Sequence, residues 1–135
     1  STKQLGENMQ TGRCLCGNVK IKVDGAPENI RVCHCRLCQK TMGSPYFARA
    51  LFLQEHISLS GKTESHPSSN YLKRVFCPTC GTTIGAWRKN GTAAGLTLAI
   101  FDDRNAYQPT EHIWTSEKMD WVKIDDSLIQ HPENP

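Results

Sequence analysis

The sequence is short of core-building residues. Leu, Ile, Val and Phe supply only 27 of its 135 positions, at the edge of what folds by apolar burial alone. It has no apolar run near the roughly 18–20 residues of a membrane span, which argues against a membrane partner. It has little net charge: 16 Lys and Arg against 13 Asp and Glu leave +3. That is too little for charge-driven disorder, and it argues against the basic stripe of a nucleic-acid binder. Seven thiolates on two zinc ions would bring even this charge to zero. The segment Ser1 to Gln10 lacks the apolar stretch of a secretory leader, so the expected location is the reducing cytoplasm. The pattern also contains no amphipathic helix of ordinary length.

What the chain has in plenty is cysteine. The seven residues fall in three groups: Cys14-Leu15-Cys16, Cys33-His34-Cys35-Arg36-Leu37-Cys38, and Cys77-Pro78-Thr79-Cys80. An odd count leaves one thiol over in any all-disulfide scheme, and close spacing in an intracellular chain points to metal or redox chemistry. Four thiolates make a closed, structural zinc site, whereas three leave a position for water or substrate. Local spacing divides the seven into Cys14, Cys16, Cys77 and Cys80 for a closed site, and Cys33, Cys35 and Cys38 for an open one. Another partition, with Cys33 and Cys35 joining Cys77 and Cys80, stays open on spacing alone. An iron–sulfur cluster fits less well, because it usually takes four cysteines. A thioredoxin-type motif needs a helix after its CxxC. Here Gly81 and then Thr82 to Trp87 read as a turn and a strand. No His pair follows to complete a Cys2His2 finger.

The remaining elements are short and mostly extended. Val19 to Val23 alternates apolar and basic residues as a half-buried strand does. Further strands are expected at Ile30–Cys35, Tyr46–Leu53, Asn70–Cys77, Thr82–Trp87, Ala94–Phe101, Glu111–Trp114 and Trp121–Ile124, with Asn90-Gly91 as a hairpin turn. Only Arg36 to Met42 reads as a helix, closed by Gly43. Gly61 to Ser69 reads as a mobile polar loop, and Ser1–Asn8 and Asp126–Pro135 read as polar tails. The expectation is a single all-β domain over residues 1–135, with its core at about 12–124, clamped by zinc and holding at most one short helix.

These residues resemble the family of glutathione-dependent formaldehyde-activating enzymes, which includes the centromere protein V domain. The resemblance runs through Gly12-Arg13-Cys14-Leu15-Cys16-Gly17, the run Cys33 to Cys38, Gly43-Ser44, Phe76-Cys77-Pro78-Thr79-Cys80-Gly81, His112-Ile113-Trp114 and Trp121. It implies a β-tent of small antiparallel sheets, a structural zinc on Cys14, Cys16, Cys77 and Cys80, and a catalytic zinc on Cys33, Cys35 and Cys38. It also implies a carbon–sulfur lyase that joins formaldehyde to glutathione as S-(hydroxymethyl)glutathione, with glutathione or a related thiol as co-substrate. The substrate transfers less surely than the fold.

Other residues have plainer readings. His34 faces away from Cys33 and Cys35 in an extended segment and reads as a packed, hydrogen-bonded histidine rather than a base. His112 reads as structural and Ser44 as part of the turn after the helix. Arg36, Lys40, Arg49, Lys73 and Arg74 are candidate partners for glutathione carboxylates, each with solvated surface charge as the plainer alternative. Trp87, Trp114 and Trp121 read as core or zinc cover. Two rival functions remain. A zinc-stabilised interaction module predicts a shielded Cys33–Cys38 site, and a thiol redox sensor predicts a reversible disulfide there.

Overall fold

The computed structural model describes residues 9–135, so the expected tail Ser1–Asn8 lies outside the described residues. Eleven strands and one short helix make up the described regular structure, with three single-turn 3-10 segments between them. In chain order the strands are β1 (Met9–Arg13), β2 (Lys20–Asp24), β3 (Asn29–Cys33), β4 (Phe47–Leu53), β5 (Ile57–Ser60), β6 (Glu64–Pro67), β7 (Leu72–Phe76), β8 (Thr83–Arg88), β9 (Ala93–Thr97), β10 (Glu111–Ile113) and β11 (Ile129–Gln130). The helix α1 (Arg36–Met42) follows β3. The all-β expectation, with one short helix, is met.

The strands form two sheets: a three-stranded one in the order β1-β2-β5, and an eight-stranded one in the order β11-β10-β3-β4-β9-β8-β7-β6. The small sheet is held over the large one by alternation. In β2 the basic Lys20 and Lys22 face water while Ile21 and Val23 are buried. These two pack with Val19, Phe52, Ile84, Trp87, Leu96 and Phe101 in the main core. That cluster includes the aromatic contacts among Phe52, Phe101 and Tyr107.

The opposite face of the large sheet carries the chemistry. Strand alternation puts Arg31 and Cys33 of β3 on that face. The β3–β4 register sets Arg31 opposite Arg49 and Cys33 opposite Phe47. Arg74 of β7 sits opposite Ala86 of β8. A second, smaller apolar cluster of Cys33, Cys38, Phe47, Ala86 and Ile113 lies there, with Trp114 and Leu72 packed against it.

Several local expectations are corrected. The segment Glu64–Pro67 within the expected mobile loop is an edge strand paired with β7. Trp121–Ile124 forms no strand, and Trp121 is 68% exposed rather than core. The expected strand after Ala94 ends at Thr97 and turns into a 3-10 segment. The segment Asp126–Pro135 is not a free tail. It adds β11 alongside β10 in a parallel pairing, His131 N donates to His112 O at 2.9 Å, and Trp114 N donates to Glu133 O at 3.2 Å. β10 also pairs in parallel with β3, a pairing of strands nearly 80 residues apart that local pattern does not encode.

Candidate metal centres

The first centre assembles where the two sheets meet. The turn after β1 presents Cys14 and Cys16, and the turn between β7 and β8 presents Cys77 and Cys80. Their four sulfurs lie within 4.8 Å of one another. The Cys14–Cys16 and Cys16–Cys77 sulfur separations are 3.6 and 3.8 Å. Sulfurs at about 2.3 Å from a tetrahedral zinc stand roughly 3.8 Å apart, so the donor set fits that ion. Backbone and hydroxyl donors support negative sulfur here. Val19 N donates to Cys14 Sγ at 3.3 Å, and Cys80 Sγ lies 3.2 Å from Thr82 Oγ1. The Thr82 hydroxyl, helped by the Thr82 backbone, pulls the Cys80 thiol down to about 5. Cys14 and Cys77 are buried within the main core, so this centre is closed on its inner side.

The second centre is built by one turn of chain. Cys33 ends β3, Cys35 is the N-cap of α1, and Cys38 lies in its first turn. The three sulfurs fall within 4.8 Å of one another. Cys35 Sγ accepts from Cys38 N at 3.3 Å, so the same side chain caps the helix and faces the centre. Gly43, at φ 60°, closes the helix in the left-handed conformation. Hydrogen bonds from Cys33 and then Cys38 pull the Cys35 thiol down to about 2, while its bond to Cys35 pushes Cys33 far above the ordinary thiol range. The donor set is three soft sulfurs, the kind that selects zinc.

This second centre lies in a cleft of about 760 Å³ that also holds Arg31, Arg36, Arg49, Arg74 and Arg88. Arg74 is buried, and its Nη2 donates to Cys38 Sγ at 3.5 Å. Arg49 donates to Asn29 Oδ1. Burial first, and then the neighbouring Arg31, pull the Arg49 guanidinium down to about 10. Arg49 fits because β9 has a glycine beside it: a Cβ on Gly95 would lie 2.5 Å from Arg49 Cδ. Arg31 is paired with Glu111, which also accepts from His131 Nε2 at 2.9 Å.

Of the basic candidates, Arg36, Arg49 and Arg74 line the cleft. Lys40 and Lys73 are exposed and are not among its lining residues. Arg31 and Arg88 were missed. Arg31 lies two residues before Cys33, so alternation could have placed it on the ligand face. Nothing local marks Arg88. Ser44 Oγ donates to Tyr46 O at 3.0 Å, the turn role expected of it.

His34 faces the other way, as alternation requires. It is fully buried, and its Nε2 lies 2.9 Å from His112 Nδ1. His112 Nε2 in turn lies 2.7 Å from Asp126 Oδ2. Burial first, and then His112, pull the His34 imidazole down to about 4, so it is neutral near pH 7. Gln39, which no motif in the sequence singles out, donates from Nε2 to His34 O at 2.7 Å and to Glu117 O at 2.9 Å. That bond ties the ligand turn to the segment after β10. Trp87 is buried as expected, and Trp114 is half-buried at the cleft wall.

The sequence profile of the family described as glutathione-dependent formaldehyde-activating enzyme matches residues 9–117. The chain belongs to this family. The matched stretch contains all seven cysteines and both centres. An uncharacterized lyase of Schizosaccharomyces pombe is 30% identical over 80 residues, which are 59% of this chain and 58% of that protein. A Halomonas elongata protein named for glutathione-dependent formaldehyde activation is 26% identical over 126 residues, 84% of this chain and 80% of the relative. A crystal structure of a Rhodobacter sphaeroides protein superposes with a TM-score of 0.56 at 20% identity, covering 90% of this chain and 98% of the other. That likeness shows the shared fold.

Proposed function

We propose that the chain is a zinc-dependent carbon–sulfur lyase of the glutathione-dependent formaldehyde-activating type, acting on glutathione or a related thiol adduct. The observation that carries this reading is the convergence of Cys33, Cys35 and Cys38 on one wall of an arginine-lined cleft. Cys14, Cys16, Cys77 and Cys80 would hold a structural zinc, and Cys33, Cys35 and Cys38 a catalytic one. Family membership and a relative named as a lyase support the enzyme class. The matched region and both cysteine clusters support a single domain. The expected setting is the cytoplasm. Among the described residues no helix is long and apolar enough to cross a membrane.

Zinc at the three-cysteine centre, when bound, would favour the deprotonated form of a coordinated substrate thiol. The chain's own residues do the rest. Arg49 and the cleft-rim Arg36 offer guanidinium groups to the carboxylates of glutathione. Phe47, Trp114 and Leu72 wall the cleft with apolar surface that limits water. In the forward reaction the substrate thiolate adds to the formaldehyde carbon, and a carbon–sulfur bond forms. The carbonyl π pair moves to oxygen, which takes a proton from water, and the thiol's own proton has already left to solvent. The reverse breaks the same bond and releases formaldehyde.

A shielded interaction module is disfavoured because the cluster opens into the cleft rather than into the core. The test is elemental analysis of protein purified without chelator, followed by NMR of glutathione and formaldehyde exchange. Two zinc ions per chain and faster formation of the hydroxymethyl adduct are expected. One zinc per chain with freely alkylated Cys33, Cys35 and Cys38, or an unaltered exchange rate, would overturn the proposal.

A further inference from the structure

One buried charge in the cleft has no carboxylate partner. Arg74 is 5% exposed and sits mid-strand in β7. Its Nε donates to Ser68 Oγ at 3.0 Å, and its guanidinium stands 5.5 Å from the centre of the Phe47 ring. Its Nη1 is sealed from solvent and has no hydrogen-bond partner. Among the described residues, the ion pairs use other cations: Arg13, Arg31, His56, His112 and His131. The group of anionic chemistry that Arg74 does touch is a thiol, Cys38 Sγ, at 3.5 Å from Nη2. A buried ion without a counter-charge is strongly unfavourable, and neutral thiols do not supply one.

We propose that Arg74 is the counter-ion of the three-cysteine centre, and that it sets how readily that centre accepts a fourth, exogenous thiolate. The inference rests on reading Cys33, Cys35 and Cys38 as a metal centre that takes the sulfur of the substrate. Three thiolates around a divalent cation leave one net negative charge, and a fourth thiolate makes two. A guanidinium bonded to Cys38 lowers each total by one, in surroundings where charge is poorly screened. As a donor to that sulfur it also draws electron density from it, one way in which groups behind a metal ligand tune the site. The alternative role, clamping a substrate carboxylate, is disfavoured by geometry, because Nη1 is closed to an incoming group. Arg49 suits that role better: it lines the cleft and its recorded partner is the neutral Asn29 side chain.

The two roles separate experimentally. The full chain is loaded with cobalt(II), whose sulfur-to-metal absorption bands report both stoichiometry and thiol uptake. It is then titrated with glutathione and with 2-mercaptoethanol, which has no carboxylate. For Arg74→Gln, affinity for both thiols is expected to fall by the same factor, about tenfold or more, the size of a hydrogen bond to a charged group. Arg49→Gln is expected to weaken glutathione alone. A loss for glutathione alone in Arg74→Gln, or no loss, overturns the proposal. If Arg74→Gln does not fold, Arg74→Lys carries the test. It keeps the charge without the planar fork, so both affinities should move together and by less than about threefold. A shift for glutathione alone in that variant is again overturning. A wild-type spectrum indifferent to both thiols would instead sink the thiolate-uptake reading, and the role of Arg74 with it.

Discussion

His34 Nε2 lies 2.9 Å from His112 Nδ1, and both imidazoles are buried beneath the sheet face opposite the three-cysteine centre. The contact joins the ligand turn to β10, and Asp126 completes the chain at 2.7 Å from His112 Nε2. A residue between two cysteines of the cluster is thereby held from behind.

Removing His112 should therefore cost more than its size suggests. His112→Ala leaves His34, already without a partner at Nδ1, unsatisfied at both ring nitrogens. The expected loss is about 1–3 kcal/mol, the cost of orphaning a buried polar group. Thermal melts of the metal-loaded protein measure it. Asp126→Asn, at a more exposed position, is expected to cost less. Equal melting temperatures for His112→Ala and wild type would mean that the chain of contacts holds nothing.

The Glu111 carboxyl is held below its ordinary value of 4.5 by hydrogen bonds from Arg31 first and His131 second. A carboxylate with a depressed folded value binds fewer protons folded than unfolded. Its stabilisation is complete above the unfolded value and is lost as pH falls through the folded one. The stability gap between wild type and Glu111→Gln should thus be constant above about pH 5 and shrink below about 4.5. Denaturant melts of the two proteins across that range give the gap directly, and a gap that widens toward acid would contradict the assignment.

The two proposed metal centres should respond differently to loss of a cysteine. Structural zinc is worth ~10–16 kcal/mol in small peptides, against a typical domain stability of ~5–15 kcal/mol. Cys77→Ser is expected to abolish the cooperative melt, because Cys77 belongs both to the closed cluster and to the main core. Cys35→Ser is expected to keep the fold, lose one equivalent of metal and lose activity. Circular dichroism and elemental analysis on the same samples decide it. A Cys35→Ser protein with two metals and full activity would refute the site assignment.

Gly95 offers a test of the cleft without touching a charged residue. A methyl group there would collide with the Arg49 side chain, at 2.5 Å from Cδ. Gly95→Ala should fold, displace Arg49 and raise KM for glutathione roughly fivefold with kcat nearly unchanged, as loss of uniform binding does. Steady-state kinetics with glutathione and with a carboxylate-free thiol separate this from general damage. An equal effect on both thiols would place Arg49 outside substrate binding.

Features that are local along the chain were legible in the residues alone. The three cysteine groups are legible because metal spacing is a property of neighbouring residues. Alternation in β2 and the limits of α1, with Gly43 as its cap, are legible for the same reason. Alternation also placed His34 on the face away from Cys33 and Cys35. What depends on register between distant strands emerged with the fold. Arg49 and Arg74 looked like surface charges, and β4 and β7 turn them inward to the cysteines. The room for Arg49 comes from Gly95 on another strand. The last ten residues read as a polar tail because their composition is polar, yet parallel pairing beside β10 docks them. Spacing along the chain marks which cysteines are metal-type donors, whereas the strands that lie side by side bring Cys14 and Cys16 to Cys77 and Cys80 and set the charge facing Cys33, Cys35 and Cys38.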